Sequence, residues 1–260
     1  MSEQRPLAIV TGASTGIGLE LARICGAHGY DLVIAADEPA IEQAAEQLRQ
    51  LGVTVTYVEA DLATTEGVDK LYAALPRVPD VLMANAGRGL GHAFLDREFT
   101  DLRRVVDTNI TGTIDLIHRI GRDMRARGEG RILITGSIAG FAPGTFNAVY
   151  NATKSFIDSF SIALNEELKD TGVTVTCLMP GATQTDFFRR ADLLDTKLGT
   201  AKKDDPADVA KTGFEAMMKG EAQVVSGFGN KVQVALEKIA PAEYVASQHR
   251  KKAEPGGADT

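Results

Sequence analysis

Tyr150 and Lys154 stand four residues apart in "YNATK", and Ser137 precedes the tyrosine by thirteen positions. A free phenol titrates near pH ~10, too high for a base at neutrality. An ammonium beside it favours the phenolate. Positions i and i+4 share one face of a helix, so the two side chains can point into the same space. Such a pair can take a proton from an alcohol or return one to a carbonyl, and a hydroxyl at Ser137 can donate to the same oxygen. Proton transfer of this kind is what hydride exchange between an alcohol carbon and a nicotinamide ring requires. A lone Tyr-x-x-x-Lys also arises by chance, so its meaning depends on a dinucleotide site elsewhere in the chain.

"TGASTGIG" supplies a candidate for that site. Gly12, Gly16 and Gly18 are spaced G-x-x-x-G-x-G, not the G-x-G-x-x-G of the common dinucleotide fingerprint, but the physics is similar. Gly12 permits a sharp turn, and Gly16 and Gly18 remove side chains where a pyrophosphate and a helix must approach the backbone. The helix that follows presents free N–H groups and its positive dipole end to phosphates. Ser14, Thr15 and Ile17 add backbone or hydroxyl donors.

The elements needed to position these groups can be read along the chain. "PLAIVT", "DLVIAAD", "VTVTYVEAD", "DVLMANAG", "GRILITGS" and "VTVTCLMPG" are apolar, β-branched strand signals. Between them lie helical patterns: "IGLELARICGAHG", "EPAIEQAAEQLRQLG", a segment over 64–75, a long region over 98–127 and another over 147–170. Strands joined by crossover helices predict an α/β fold, a Rossmann-type doubly wound parallel sheet of about seven strands with helices on both faces. Ligands of such sheets bind beyond the carboxyl ends of the strands. Residues 1–230 read as one catalytic domain, with a polar, irregular stretch over 183–204 as its substrate lid. Residues 231–260 read as a helical extension ending in a loose, Pro/Gly-rich tail.

Bulk properties narrow the function. A net charge of −7 argues against nucleic acid as a partner. No apolar run is long enough to span a membrane. "MSEQRPLAIV" has no basic region followed by a long apolar one, so no signal peptide is expected. Cys25 and Cys177 lie in apolar surroundings without disulfide or metal spacing. A cytoplasmic setting is expected, with no metal.

Six motifs in order, namely "TGASTGIG", "NAG" at 85–87, Asn109, Ser137, "YNATK" and "PG" at 180–181, resemble the classical branch of the short-chain dehydrogenase/reductase family, over residues 7 to about 225. The resemblance implies an NAD(P)-dependent alcohol dehydrogenase or carbonyl reductase with Asn109, Ser137, Tyr150 and Lys154 as its catalytic set. Lys154 would also hold the nicotinamide ribose, and Asn109 a water linking Lys154 to solvent. Asp61 would meet the adenine amino group with Leu62 beside it, and Asn85, Ala86 and Gly87 would line the adenosine side. Pro180, Gly181, Thr183 and Thr185 would flank the nicotinamide. Asp37, at the end of the second strand, can accept from both adenosine ribose hydroxyls and would repel a 2′-phosphate. No basic residue adjoins it in sequence, so NAD is favoured and NADP is left open.

Phe141, Phe146 and Phe187 are candidate walls for a medium-sized apolar alcohol or ketone. Arg88 is read as a surface arginine. Apolar stripes on the long helices suggest a homodimer or homotetramer. Two other readings remain. One is a non-catalytic dinucleotide-sensing protein on the same fold. The other is an epimerase or dehydratase of the extended branch, whose chains usually carry more residues after the sixth strand.

Overall fold

The computed structural model describes residues 4–259. Seven parallel strands form one sheet in the order β3-β2-β1-β4-β5-β6-β7. They are β1 (Leu7–Thr11), β2 (Asp31–Ala36), β3 (Val55–Glu59), β4 (Val81–Ala84), β5 (Gly130–Thr135), β6 (Val173–Met179) and β7 (Gln223–Val225). The chain runs outward from β1 in one direction and then resumes at β4 on its other side. The switch point therefore lies between β1 and β4, where a crevice opens at the carboxyl ends.

Both faces are buried, so the strands read as continuous apolar runs. In β1, Ala8 and Val10 pack with α1 (Gly16–Ala27), α2 (Ala40–Arg49) and α9 (Pro206–Lys219). Leu7 and Ile9 face the other way, toward α3 (Thr65–Ala73), α5 (Thr113–Arg127) and α6 (Ala148–Leu168). The helices begin and end where local chemistry dictates. Thr64 accepts from Gly67 N at 3.0 Å ahead of α3. Asp205 caps α9 before Pro206, and Gly220 closes it with φ 71°.

The long helical region over 98–127 is not one regular helix. α4 (Phe99–Val106) passes into a π-helical segment, Asp107–Gly112, and then into α5. Gly112 explains part of this: a Cβ there would lie 1.7 Å from the Leu62 carbonyl oxygen. The wider turn turns the buried Asn109 inward.

The stretch expected to be irregular, 183–204, contains two short helices, α7 (Phe187–Arg190) and α8 (Lys197–Thr200). Its two ends are tied by a bridge between Thr183 and Asp204. Phe188, Ala191 and Leu193 are buried there as a small core of their own. After β7 come α10 (Phe228–Glu237) and α11 (Ala242–Ala253). The segment expected as a loose tail folds back: Gly256 N donates to Asp195 Oδ2 at 2.8 Å, and Ala258 N to Asp195 O at 3.0 Å. Thr260 lies outside the described residues.

The Gly112 contact yields a stability prediction. Gly112→Ala must separate the π-helical segment from Leu62 and is expected to cost about 1–3 kcal/mol, measured as a lower urea midpoint. An unchanged midpoint would show that this approach does not hold the segment.

Candidate active site

One cleft of about 1020 Å³ runs along the carboxyl ends of the strands. It begins at the glycine turn, where Gly12 and Gly16 adopt positive φ of 64° and 59°. Gly18 is required by space: a Cβ would lie 2.1 Å from Gly12 O. Ser14, Thr15 and Ile17 complete this end of the wall. Asn85 ties it to the next strand, donating from Nδ2 to Thr11 O at 3.0 Å and from its backbone N–H to Thr11 Oγ1 at 3.0 Å. Ala86, Gly87, Asp37, Asp61 and Leu62 continue the lining, and Pro180, Gly181, Thr183 and Thr185 stand opposite. Thr185 closes directly over the turn, since a Cβ on Gly16 would meet its methyl at 2.7 Å. This narrow, side-chain-free cradle in front of a helix N-terminus fits a dinucleotide.

Ser137, Tyr150 and Lys154 meet in the same cleft. Ser137 follows β5, and its Oγ accepts from Ala139 N at 3.1 Å, which fixes the hydroxyl beside Tyr150. Lys154 is 6% exposed, and its Nζ donates to Thr135 O at 2.7 Å. Burial lowers its pKa, and Asp158 opposes that. Tyr150 departs from the expectation of an acidified phenol. Desolvation pushes it up to about 12, the Ser137 hydroxyl works the other way, and the negative charge of Asp158 adds to the rise. The phenol is thus held in its proton-donating form.

Asn109 stands behind the cleft. Its Oδ1 accepts from Arg88 N at 2.7 Å, and its Nδ2 donates to Arg88 O at 2.9 Å and Thr153 Oγ1 at 2.9 Å. Its carboxamide therefore fixes the Gly87–Arg88 backbone against α6. Of the three candidate phenylalanines, only Phe187 lines the cleft, its ring 5.1 Å from that of Tyr150. Phe141 packs instead on Ile138, Cys177, Met179 and Val234. Phe146, at φ 63°, lies under Arg250 at 5.3 Å.

Sequence reading missed several residues. Arg104 Nη2 lies 2.8 Å from Asp61 Oδ2 and 3.6 Å from Asp37 Oδ2. Arg88 Nη1 lies 3.8 Å from Asp37. Arg190, on α7, holds both carboxylate oxygens of Glu38 at 2.7 and 2.8 Å, while Ser14 donates to the same group at 2.5 Å. The adenosine end, with no basic neighbour in sequence, thus has three arginines in space. Asp158, one turn beyond Lys154, was also missed. It accepts from Ser137 N at 3.2 Å, and burial lifts its pKa to about 6. The i+4 spacing from Lys154 was the available signal.

A family model described as short chain dehydrogenase matches residues 6–193. The chain belongs to the classical short-chain dehydrogenase/reductase family. It is 31% identical over 269 aligned positions to a protein described as dehydrogenase/reductase SDR family member 7B of Danio rerio, covering 96% of this chain and 87% of the relative. A short-chain dehydrogenase from Sphingobium yanoikuyae, solved with NADPH, superposes with a TM-score of 0.80 at 26% identity, over 91% of this chain and 97% of the other. A bulky-bulky ketone specific alcohol dehydrogenase from Comamonas testosteroni gives a TM-score of 0.77 at 25% identity, over 95% and 99%. The chain is an oxidoreductase that uses a nicotinamide dinucleotide. Among the described residues, no helix is long and apolar enough to cross a membrane.

Asp158 gives this site a pH signature. Its folded pKa of about 6 lies above the ordinary 3.8, so the folded state holds the proton more tightly. Stability from this group is complete below about pH 4 and is lost as pH rises through about 6. Asp158→Asn removes the loss. Relative to wild type, the variant is expected to gain up to about 3 kcal/mol across that window, read by urea denaturation at several pH values. A gap that does not change with pH would refute the assignment.

Proposed function

We propose that this short-chain dehydrogenase/reductase exchanges a hydride between the nicotinamide ring and a secondary alcohol or ketone, with Tyr150 as the acid/base. The observation carrying this reading is the convergence of a proton-holding phenol, the Ser137 hydroxyl and the Lys154 ammonium at one end of a dinucleotide-shaped cleft. The cofactor supplies or accepts the hydride. In reduction, Tyr150 gives its proton to the carbonyl oxygen while Ser137 donates a hydrogen bond to that oxygen. Lys154, anchored on Thr135 O, stabilises the resulting phenolate and binds the ribose. Asn109 acts as a positioning residue through Arg88 and Thr153, and a water linking Lys154 to solvent belongs beside it. The ketone specificity in the description of the Comamonas relative agrees with this reading.

NAD is the preferred cofactor in this proposal. Asp37 lines the cleft at the end of β2, where an acidic residue accepts from the ribose hydroxyls and would repel a 2′-phosphate. Arg88 and Arg104 are held by that same carboxylate. A soluble homo-oligomer in the cytoplasm completes the reading, since α4 and α6 leave Phe99 and Phe156 exposed.

Two measurements decide between this enzyme and a cofactor sensor. Tyr150→Phe is expected to lower kcat on ketones by at least ~100-fold while cofactor affinity, read by fluorescence titration, stays within about threefold. Full turnover in Tyr150→Phe would refute the assignment, and tight cofactor binding without any turnover in the wild type would favour the sensor. Asp37→Asn removes the carboxylate beside Arg88 and leaves Arg104 on Asp61, so the NAD/NADP ratio of kcat/KM is expected to fall at least ~10-fold. An unchanged ratio would remove Asp37 from cofactor choice.

A further inference from the structure

Asn147 is the N-cap residue of α6, a position where an asparagine ordinarily turns its side chain back to accept from its own helix. Here no such bond forms. The side chain is 5% exposed, and Oδ1 has no hydrogen-bond partner. Asn147 nevertheless lines the cleft, one helical turn before Tyr150. A buried amide oxygen left unpaired is costly, and forgoing the cap adds to that cost. Both costs persist because the surrounding backbone is fixed by other groups.

Those groups are specific. Asn151, one turn along α6, donates from Nδ2 to Ala139 O and Ala142 O, both at 3.0 Å. It packs so closely on Gly144 that a Cβ there would meet its carboxamide at 2.2 Å. From α11, His249 Nδ1 bonds to Thr145 O at 2.9 Å, and Thr145 Oγ1 donates to Ala246 O at 2.9 Å. The loop before α6 is thus satisfied without the Asn147 side chain. A second unpaired acceptor belongs to another residue that lines this cleft. Glu237, on α10, has one carboxylate oxygen held by Gln233 at 2.8 Å and the other buried with no partner. Apolar residues that line the same cleft include Ala139, Ala142, Phe187 and Val245.

Two unspent acceptors in an apolar cleft call for a ligand with donors. We propose that Asn147 receives a hydrogen bond from a hydroxyl on a carbon close to the reacting one, so that the substrate is a hydroxy-ketone or the diol formed from it, with an otherwise apolar body. Residues i and i+3 on a helix lie about 5–6 Å apart at Cβ, which places that hydroxyl near the carbonyl poised at Tyr150. Glu237 takes a second donor further out. This assignment rests on the ketone-reducing reading above.

The test uses matched pairs: 2-hydroxyacetophenone against acetophenone, and 3-hydroxy-2-butanone against 2-butanone, followed at the nicotinamide absorbance band. Wild-type protein is expected to favour the hydroxylated member of each pair by about 10- to 100-fold in kcat/KM. Asn147→Ala should erase that preference, bringing kcat/KM for the hydroxylated member down to that of the plain ketone. Asn147→Asp, which keeps an acceptor, should retain it. Asn147→Ser, a good cap that is too short to reach, should lose it without lowering the thermal midpoint. A wild-type protein that treats both members of each pair alike, or an Asn147→Ala variant that keeps the preference, overturns the assignment and leaves ketone reduction standing. Turnover of no ketone in either pair removes both.

Discussion

Lys154 carries charge where charge is expensive. It is 6% exposed, on a helix packed against β5 and β6, and its ammonium must be compensated by protein. The Thr135 carbonyl gives one partner, at the last residue of β5. Asp158 gives the opposite charge one turn further along the same helix. That carboxylate is itself buried, and it fits only because residues 136 and 140 are glycines: a Cβ would lie 1.9 Å from its Oδ1 at Gly136 and 2.1 Å from its Oδ2 at Gly140. The same carboxylate accepts from Ser137 N, so the charge that balances the lysine also sets the serine. Phenol, hydroxyl and ammonium therefore form one electrostatic unit rather than three independent side chains.

The opposite end of the cleft solves a different problem. A dinucleotide needs donors for its phosphates and acceptors for its ribose, close together and without mutual collapse. The glycine turn supplies the first by bringing bare backbone to the start of α1. Near it stand three carboxylates, Asp37, Glu38 and Asp61, each beside an arginine from a distant segment. Arg190 comes from α7, so the segment over the cleft is fastened to the adenosine end. These pairs are partly exposed, and each adds little stability by itself. Their consequence is geometric: they hold carboxylates in fixed positions while moderating their charge.

This division explains what could be read from the residues in order. The strand order, the two-sided core and the Ser137–Tyr150–Lys154 convergence follow from local periodicity and short spacings, which sequence displays directly. The arginines do not. Arg104 reaches Asp61 and Arg190 reaches Glu38 across separations that only the crossovers create. Side-chain direction in the loop before α6 was equally hidden. Phe141 and Phe146 look like pocket walls by composition, yet Lys238 covers one and Arg250 the other. The positive φ at Phe146 redirects its side chain, and nothing in an apolar residue type announces that. The docking of Gly256 and Ala258 on Asp195 was hidden for the same reason: Pro/Gly-rich composition reads as loose unless the partner is known.

Part of the cleft is built from chain that lies beyond the family match. That match stops at residue 193, whereas Gln233, Leu236, Glu237, Tyr244 and Gln248 line the outer cleft from α10 and α11. The proton-transfer unit and the dinucleotide cradle sit within the shared part and carry the shared chemistry. The outer lining from α10 and α11 lies outside that span. α11 fixes that loop through Thr145, and the loop leads directly into Asn147 and α6. α11 and the start of α6 are therefore joined through one short connection that involves neither Tyr150 nor Lys154. On a shared fold, the reaction and the molecule it acts on can be set by separate parts of the chain.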